Sequence, residues 1–152
     1  MKIWNVYLSG EIHNDWRGDL IRGCQKADLP IEFSSPVTTH EDSDDCGAEI
    51  LGDEENPFWR DNKGAKVNAI RTQTLIKSAD IVVVRFGEKY KQWNAAFDAG
   101  YAAALGKPII VQHPPEFIHP LKEVDAAALA VADTVDQVVN ILRYAITGHL
   151  ER

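Results

Sequence analysis

The chain has 152 residues, 45% of them apolar and 26% charged, with a formal net charge of -7. That is the length of one domain and enough to bury a core without metal or disulfide staples. The acidic balance repels phosphate backbones, so nucleic-acid binding is excluded as a general activity, though a local anion pocket is not.

Lys2 to Ser9 reads as a first buried strand, broken by Gly10. The apolar start is too short for a signal peptide, and no run approaches the length of a membrane span, so no membrane partner is expected. Asp15 is placed to cap a helix through Trp16, Leu20, Ile21 and Cys24, an apolar stripe at helical spacing that Pro30 stops. Cys24 lies on that apolar face. Cys46, the other cysteine, forms no CxxC pair with it, and two cysteines point to a reducing, cytoplasmic compartment. Ile31 to Ser34 is a short second strand.

Residues 36 to 65 read as irregular, with an acidic loop over 38–62 and at most a short helix around Glu49-Ile50-Leu51. A structureless stretch this long is more often functional than idle. From Lys66 the pattern is helical through Val67, Ile70, Leu75 and Ile76. Ile81 to Phe86 is a largely β-branched apolar run interrupted only by Arg85, as expected of a strand covered on both faces. Gln92 to Leu105 is an Ala-rich helix closed by Gly106. Ile109-Ile110-Val111 is a fourth strand, Pro120 to Val124 a short helical piece, and Ala128 to Val131 an edge strand. Thr134-Val135-Asp136-Gln137 is a capping box opening a last helix that ends near Gly148.

Strand and helix alternate five times. The expected fold is a single α/β domain over 1–152: a doubly wound, flavodoxin-like five-stranded parallel sheet in three α/β/α layers. Ligands in such folds sit beyond the carboxyl ends of the strands, where strand order reverses. The loops after strands one, three and four are the candidates.

The first loop, Tyr7 to Asn14, holds Gly10, Glu11 and His13. It is either a plain strand-to-helix turn or an anion site at a helix N-terminus, and it carries no dinucleotide fingerprint. In the Ala-rich helix, Asn94 and Asp98 lie one turn apart, as do Phe97 and Tyr101. Asp98 is either a solvent-facing acid or a functional carboxylate stabilised as the anion by the helix N-terminus. Trp16, Trp59 and Trp93 fall in or beside the expected ligand edge. Asp42, Asp44 and Asp45 lack the glutamate of a calcium loop, and His40, His113 and His119 lack ligand spacing, so no metal or cofactor is expected.

Val6-Tyr7-Leu8-Ser9-Gly10, Ala79-Asp80-Ile81-Val82-Val83 and Phe97-Asp98-Ala99-Gly100-Tyr101-Ala102, with Leu105-Gly106-Lys107-Pro108 after it, stand in the order and spacing of a known family. The chain resembles the nucleoside 2-deoxyribosyltransferase superfamily. Lys63-Gly64-Ala65-Lys66, Arg71-Thr72 and Lys89 to Asp98 resemble its YtoQ group more closely. The resemblance implies a deoxyribosyltransferase or N-glycoside hydrolase acting on a nucleoside or nucleotide. A carboxylate at Asp98 would attack the anomeric carbon, and Tyr7 would orient it through a hydrogen bond. Gly10, Glu11, His13, Arg71, Thr72, Trp93, Asn94 and Tyr101 would surround the ligand.

Four departures from the superfamily pattern stand out. Asp98 replaces a glutamate one methylene longer, and a misplacement of about 1 Å costs about a hundredfold in rate. Thr72 stands where a second acid assists the departing base, and Trp93 stands at another acid position. Glu11 and His13 occupy the loop that elsewhere holds a 5′-phosphate, where Glu11 would repel one. A missing acid is expected from the acidic loop, through His40, Glu41 or Asp42. The alternatives are a binding module that senses a nucleotide or metabolite without turning it over, and a domain acting through oligomeric contacts of the acidic loop. The resemblance further implies a homo-oligomer, a dimer or tetramer, with the segment His113 to Asp125 approaching a neighbour's pocket.

Overall fold

A computed structural model describes residues 1–152. Five strands form one all-parallel sheet: β1 (Trp4–Gly10), β2 (Ile31–Ser34), β3 (Ile81–Arg85), β4 (Ile109–Gln112) and β5 (Ala130–Ala132), in the spatial order β2-β1-β3-β4-β5. Six helices cover it: α1 (Trp16–Lys26), α2 (His40–Leu51), α3 (Pro57–Ser78), α4 (Trp93–Ala104), α5 (Lys122–Ala127) and α6 (Val135–Thr147). The strand order is the flavodoxin-like one, and its reversal lies between β1 and β3.

The alternation of β1 divides the core. Val6 and Leu8 face α1 and α6, joining Leu20, Cys24, Val83, Val138 and Leu142 in one buried cluster. Tyr7 faces the other way, joining Ile76, Val82, Val84, Ala95, Ala99 and Ala102 beneath α3 and α4. Strands β3 and β4 are buried on both faces, which is why they read as continuous β-branched runs. In α4 the buried positions are Ala95, Ala99 and Ala102, small enough for the helix to lie close on the sheet. The capping box at Thr134 and Gln137 is formed, and Gly148 closes α6 in the left-handed conformation.

The stretch 36–65 corrects the sequence reading. It is not a long irregular loop: α2 spans the acidic segment and α3 begins at Pro57. Asn56 caps α3 by accepting from the Phe58 N–H, with Pro57 at the first helical position. The sequence of α2 is poor in strong helix formers, so packing holds it instead. Gly47 sits so close to α3 that a Cβ there would lie 2.5 Å from the Gly64 nitrogen. Asn68 donates to the Ser43 carbonyl at 2.8 Å, and Arg60 pairs with Asp45 at 2.9 Å. Asp15 was also misread: Asn14 Oδ1, not Asp15, accepts from the Trp16 N–H at 3.0 Å.

Candidate active site

At the carboxyl edge, between β1 and β3, lies a cleft of about 410 Å³. The turn after β1 (Gly10, Ile12), the segment after β2 (Pro36, Val37), α2, α3 and the first half of α4 enclose it. Its second wall thus comes from the segment following β2 rather than from the loop after β4. The volume is in the range of small-molecule sites. A larger, shallower hollow of about 640 Å³ lies on the outer side of α2 and α3 around Leu51 and Trp59. Its polar lining is Asn62, Lys66 and the pair Glu54 and Lys63, which meet at 2.8 Å.

Gly10 makes the floor of the cleft possible. Its φ is +116°, and a Cβ there would lie 2.0 Å from the Arg85 carbonyl oxygen of the neighbouring strand. Around it the ends of the β1 carbonyls are held by Arg17, whose guanidinium donates to the oxygens of Leu8, Gly10 and Glu11. Burial pushes the Arg17 guanidinium down to about 10, while Tyr7 and Glu11 act in the opposite direction.

The carboxylate of Asp98 reaches down from α4. Ser9, on the cleft-side face of β1, donates to its Oδ2 at 2.7 Å, and no protein group donates to Oδ1. Burial raises the Asp98 carboxyl above its ordinary value, against the lowering effect of the Ser9 hydrogen bond. The helix terminus does not reverse this, because Asp98 stands beyond the first turn of α4 and the dipole effect fades within it. Asp98 is therefore more basic than an exposed aspartate, opposite to the sequence expectation.

Tyr7 does not make the expected hydrogen bond to Asp98. Its side chain is fully buried on the same sheet face, and its hydroxyl has no partner. Burial and the nearby Asp98 charge both raise its pKa, with Arg17 and Arg71 pulling weakly the other way, so it is a neutral hydroxyl near neutral pH. Of the other expected residues, Asn94, Tyr101, Thr72 and Gly10 line the cleft.

Four do not. Glu11 is 3% exposed, its carboxylate folded over Gly87 after β3, where no Cβ would fit. His13 is stacked at a tilt on Tyr90, with ring centroids 4.5 Å apart. Arg71 is an exposed residue that donates to the Ser35 carbonyl at 3.2 Å. Trp93, at the start of α4, is 77% exposed. Of the remaining tryptophans, Trp16 is core, its indole N–H donating to the Glu11 carbonyl, and Trp59 belongs to the outer hollow.

The acid expected from the 38–62 segment also falls elsewhere. His40, Glu41 and Asp42 lie off the cleft, whereas Asp44 of α2 and Asp61 of α3 line it, with Ser43, Asn68 and Gln73. His40 pairs with Asp44 at 3.0 Å, one helical turn away. Ser43, Asp44 and Asp61 escape the sequence reading because α2 and the first turns of α3 bring them to one wall, and that stretch reads as a loop. Asn68 and Gln73 lie in the helix expected from Lys66 but on a face not singled out. The periodicity of α3 through Asp61, Asn68 and Thr72 would have signalled them. His113, in the segment expected to meet a neighbour, is buried and bonded through Nε2 to Asp125 at 2.8 Å.

A family model described as "Nucleoside 2-deoxyribosyltransferase YtoQ" matches residues 7–146. The chain belongs to that family. The uncharacterised YtoQ protein of Bacillus subtilis strain 168 is 45% identical over 139 residues, covering 91% of this chain and 94% of the relative. Among solved structures, a conserved protein of Enterococcus faecalis V583 superposes with a TM-score of 0.63 at 12% identity, covering 95% of this chain and 99% of that one. A 2-deoxyribosyltransferase of Bacillus psychrosaccharolyticus superposes with a TM-score of 0.56 at 22% identity, covering 90% of each chain. At those identities the two structures establish the shared fold. The family's match extends from Tyr7 through the whole cleft, including Asp98.

Proposed function

We propose that this protein is an enzyme acting on the N-glycosidic bond of a nucleoside-like ligand, by hydrolysis or by transfer of the sugar to a second base. The observation that carries this reading is the Asp98 carboxylate, half-buried in the cleft and fixed through one oxygen by Ser9. The family's printed description and the deoxyribosyltransferase neighbour support the substrate class.

Asp98 Oδ1 is the nucleophile, or the stabiliser of the oxocarbenium-like transition state. Ser9 sets the orientation of the carboxylate, a role expected of Tyr7 from the resemblance. Tyr7 keeps its hydroxyl proton near neutral pH and donates it to Asp98 in the bound state. Asn94, one turn before Asp98, meets the sugar, and Phe97 and Tyr101 supply apolar contact. Homo-oligomeric assembly, implied by the resemblance, belongs to this proposal.

An HPLC screen of nucleosides, nucleotides and dinucleotides with wild type and Asp98→Ala tests it. Base release by the wild type that falls by at least about a thousandfold in the variant is expected of a lost nucleophile. No turnover, or equal turnover by both, overturns the reading. Thr72, standing in the cleft where the superfamily places an acid, favours the alternative of a non-catalytic sensor. Thermal stabilisation by a nucleoside without product would establish that alternative.

A further inference from the structure

The cleft carries charge of one sign. Asp44, Asp61 and Asp98 line it, and none of its lining residues is lysine, arginine or histidine. Arg17 is spent on the β1 carbonyls and Arg60 on Asp45 and Asp53, while Arg71, outside the lining and exposed, donates through Nε to the Ser35 carbonyl. Asp44 meets the His40 imidazole, one turn before it, at 3.0 Å. A phosphate placed here would meet three carboxylates in a lining that holds no cation.

Where the resemblance implies an acid for the leaving base stands Thr72, and the lining carboxylates Asp44 and Asp61 sit at other positions, on α2 and the first turns of α3. Thr72, Gln73, Asn68 and Asn94 are polar but do not act as acids near neutral pH. Beside Asp98, the Tyr7 hydroxyl is buried on the same sheet face with no partner.

Resting on the N-glycosidic reading above, we infer that the substrate is an unphosphorylated N-glycoside whose base is cationic, such as an N-alkylated pyridinium or an N7-alkylated purine nucleoside. Acidic walls attract that cation, and the missing acid is then not needed. Asp98 Oδ1 forms a bond to the anomeric carbon as the bond to the base nitrogen breaks. The electron pair of the broken bond neutralises the base, which leaves without taking a proton. Water then attacks the anomeric carbon, the ester bond to Asp98 breaks, and one proton passes to solvent. Hydrolysis of a cationic substrate thus releases one proton per turnover, whereas a neutral nucleoside releases none because its base keeps it.

The test uses the purified full chain with 7-methylguanosine and nicotinamide riboside, in ribose and 2-deoxyribose forms. Guanosine and the zwitterionic nicotinic acid riboside serve as counterparts. Base release is followed by HPLC and proton release by indicator dye, each corrected for the non-enzymatic rate. The expected result is a kcat/KM at least about tenfold higher for the cations, as one or two nearby carboxylates would supply. Asp44→Asn with Asp61→Asn is expected to lower that preference about threefold or more, circular dichroism confirming the fold. Equal or better turnover of the counterparts, which carry no net charge, overturns this inference and leaves the N-glycosidic reading standing. No wild-type turnover of any nucleoside overturns both.

Discussion

The unpaired hydroxyl of Tyr7 gives a prediction with opposite signs for stability and function. Tyr7→Phe removes one oxygen and leaves a ring that is 0% exposed in its place. In the free protein that oxygen forms no hydrogen bond and has lost its water. A buried, unsatisfied polar group costs about 1–3 kcal/mol, so deleting it stabilises the fold. Taking the lower figure, and a shift of about 2–4 °C per kcal/mol for a chain of this size, Tm rises by about 2–4 °C. The phenol does not ionise near neutral pH, since burial and Asp98 both raise it, so the gain is the same from pH 6 to 8. Differential scanning calorimetry of both proteins without ligand measures it. Ligand-induced stabilisation and base release are expected to fall in the variant, because the hydroxyl is held for the bound state. A lower Tm for Tyr7→Phe would show that the hydroxyl has a partner and refute the reasoning.

Asp98 and α2 supply two more. Burial raises the Asp98 carboxyl in the folded state, so the native protein binds a proton that the unfolded chain has already lost as pH climbs. Ionising it costs stability, and that cost enters as pH rises from the ordinary carboxylate range through the raised value. Asp98→Asn lacks this cost, so its stability advantage over wild type grows with pH and then levels. Urea midpoints from about pH 3.5 to 7 that differ by a constant amount would contradict this. Gly47→Ala forces α2 off α3, since the added Cβ meets backbone at 2.5 Å. A loss of about 1–3 kcal/mol is expected, with weakened ligand response, measured by chemical denaturation and thermal shift.

The sheet was legible because its strands are written in short apolar runs and its turns in Gly and Pro. Ile81 to Val84 and Ile109 to Val111 admit few other structures, and the capping box at Thr134 announced α6. The helix α2 was not legible. Its Asp, Ser, Cys and Gly residues favour a loop by local preference, and a contact between Gly47 and Gly64, 17 residues apart, decides otherwise. Misreading α2 displaced half of the candidate site. Asp98, Asn94, Thr72, Tyr101 and Gly10 meet at the cleft, but Asp44 and Asp61 depend on that helix pair and could not be placed. The direction of the Asp98 shift was missed for another reason. Helix position is visible in sequence, whereas the depth to which a carboxylate sinks toward the sheet is not.

The contact of α2 with α3 bears on how this cleft can change over time. The Asp98–Ser9 pair is anchored in α4 and β1, parts that the core cannot do without. The opposite wall, with Ser43 and Asp44, stands on a helix whose main support is another helix outside the sheet. Substitutions at the cleft-lining positions of α2, away from its Gly47 contact with α3, can redraw the side that meets the ligand without touching the sheet. Lineages sharing the carboxylate can therefore diverge in what they accept by altering one peripheral hairpin.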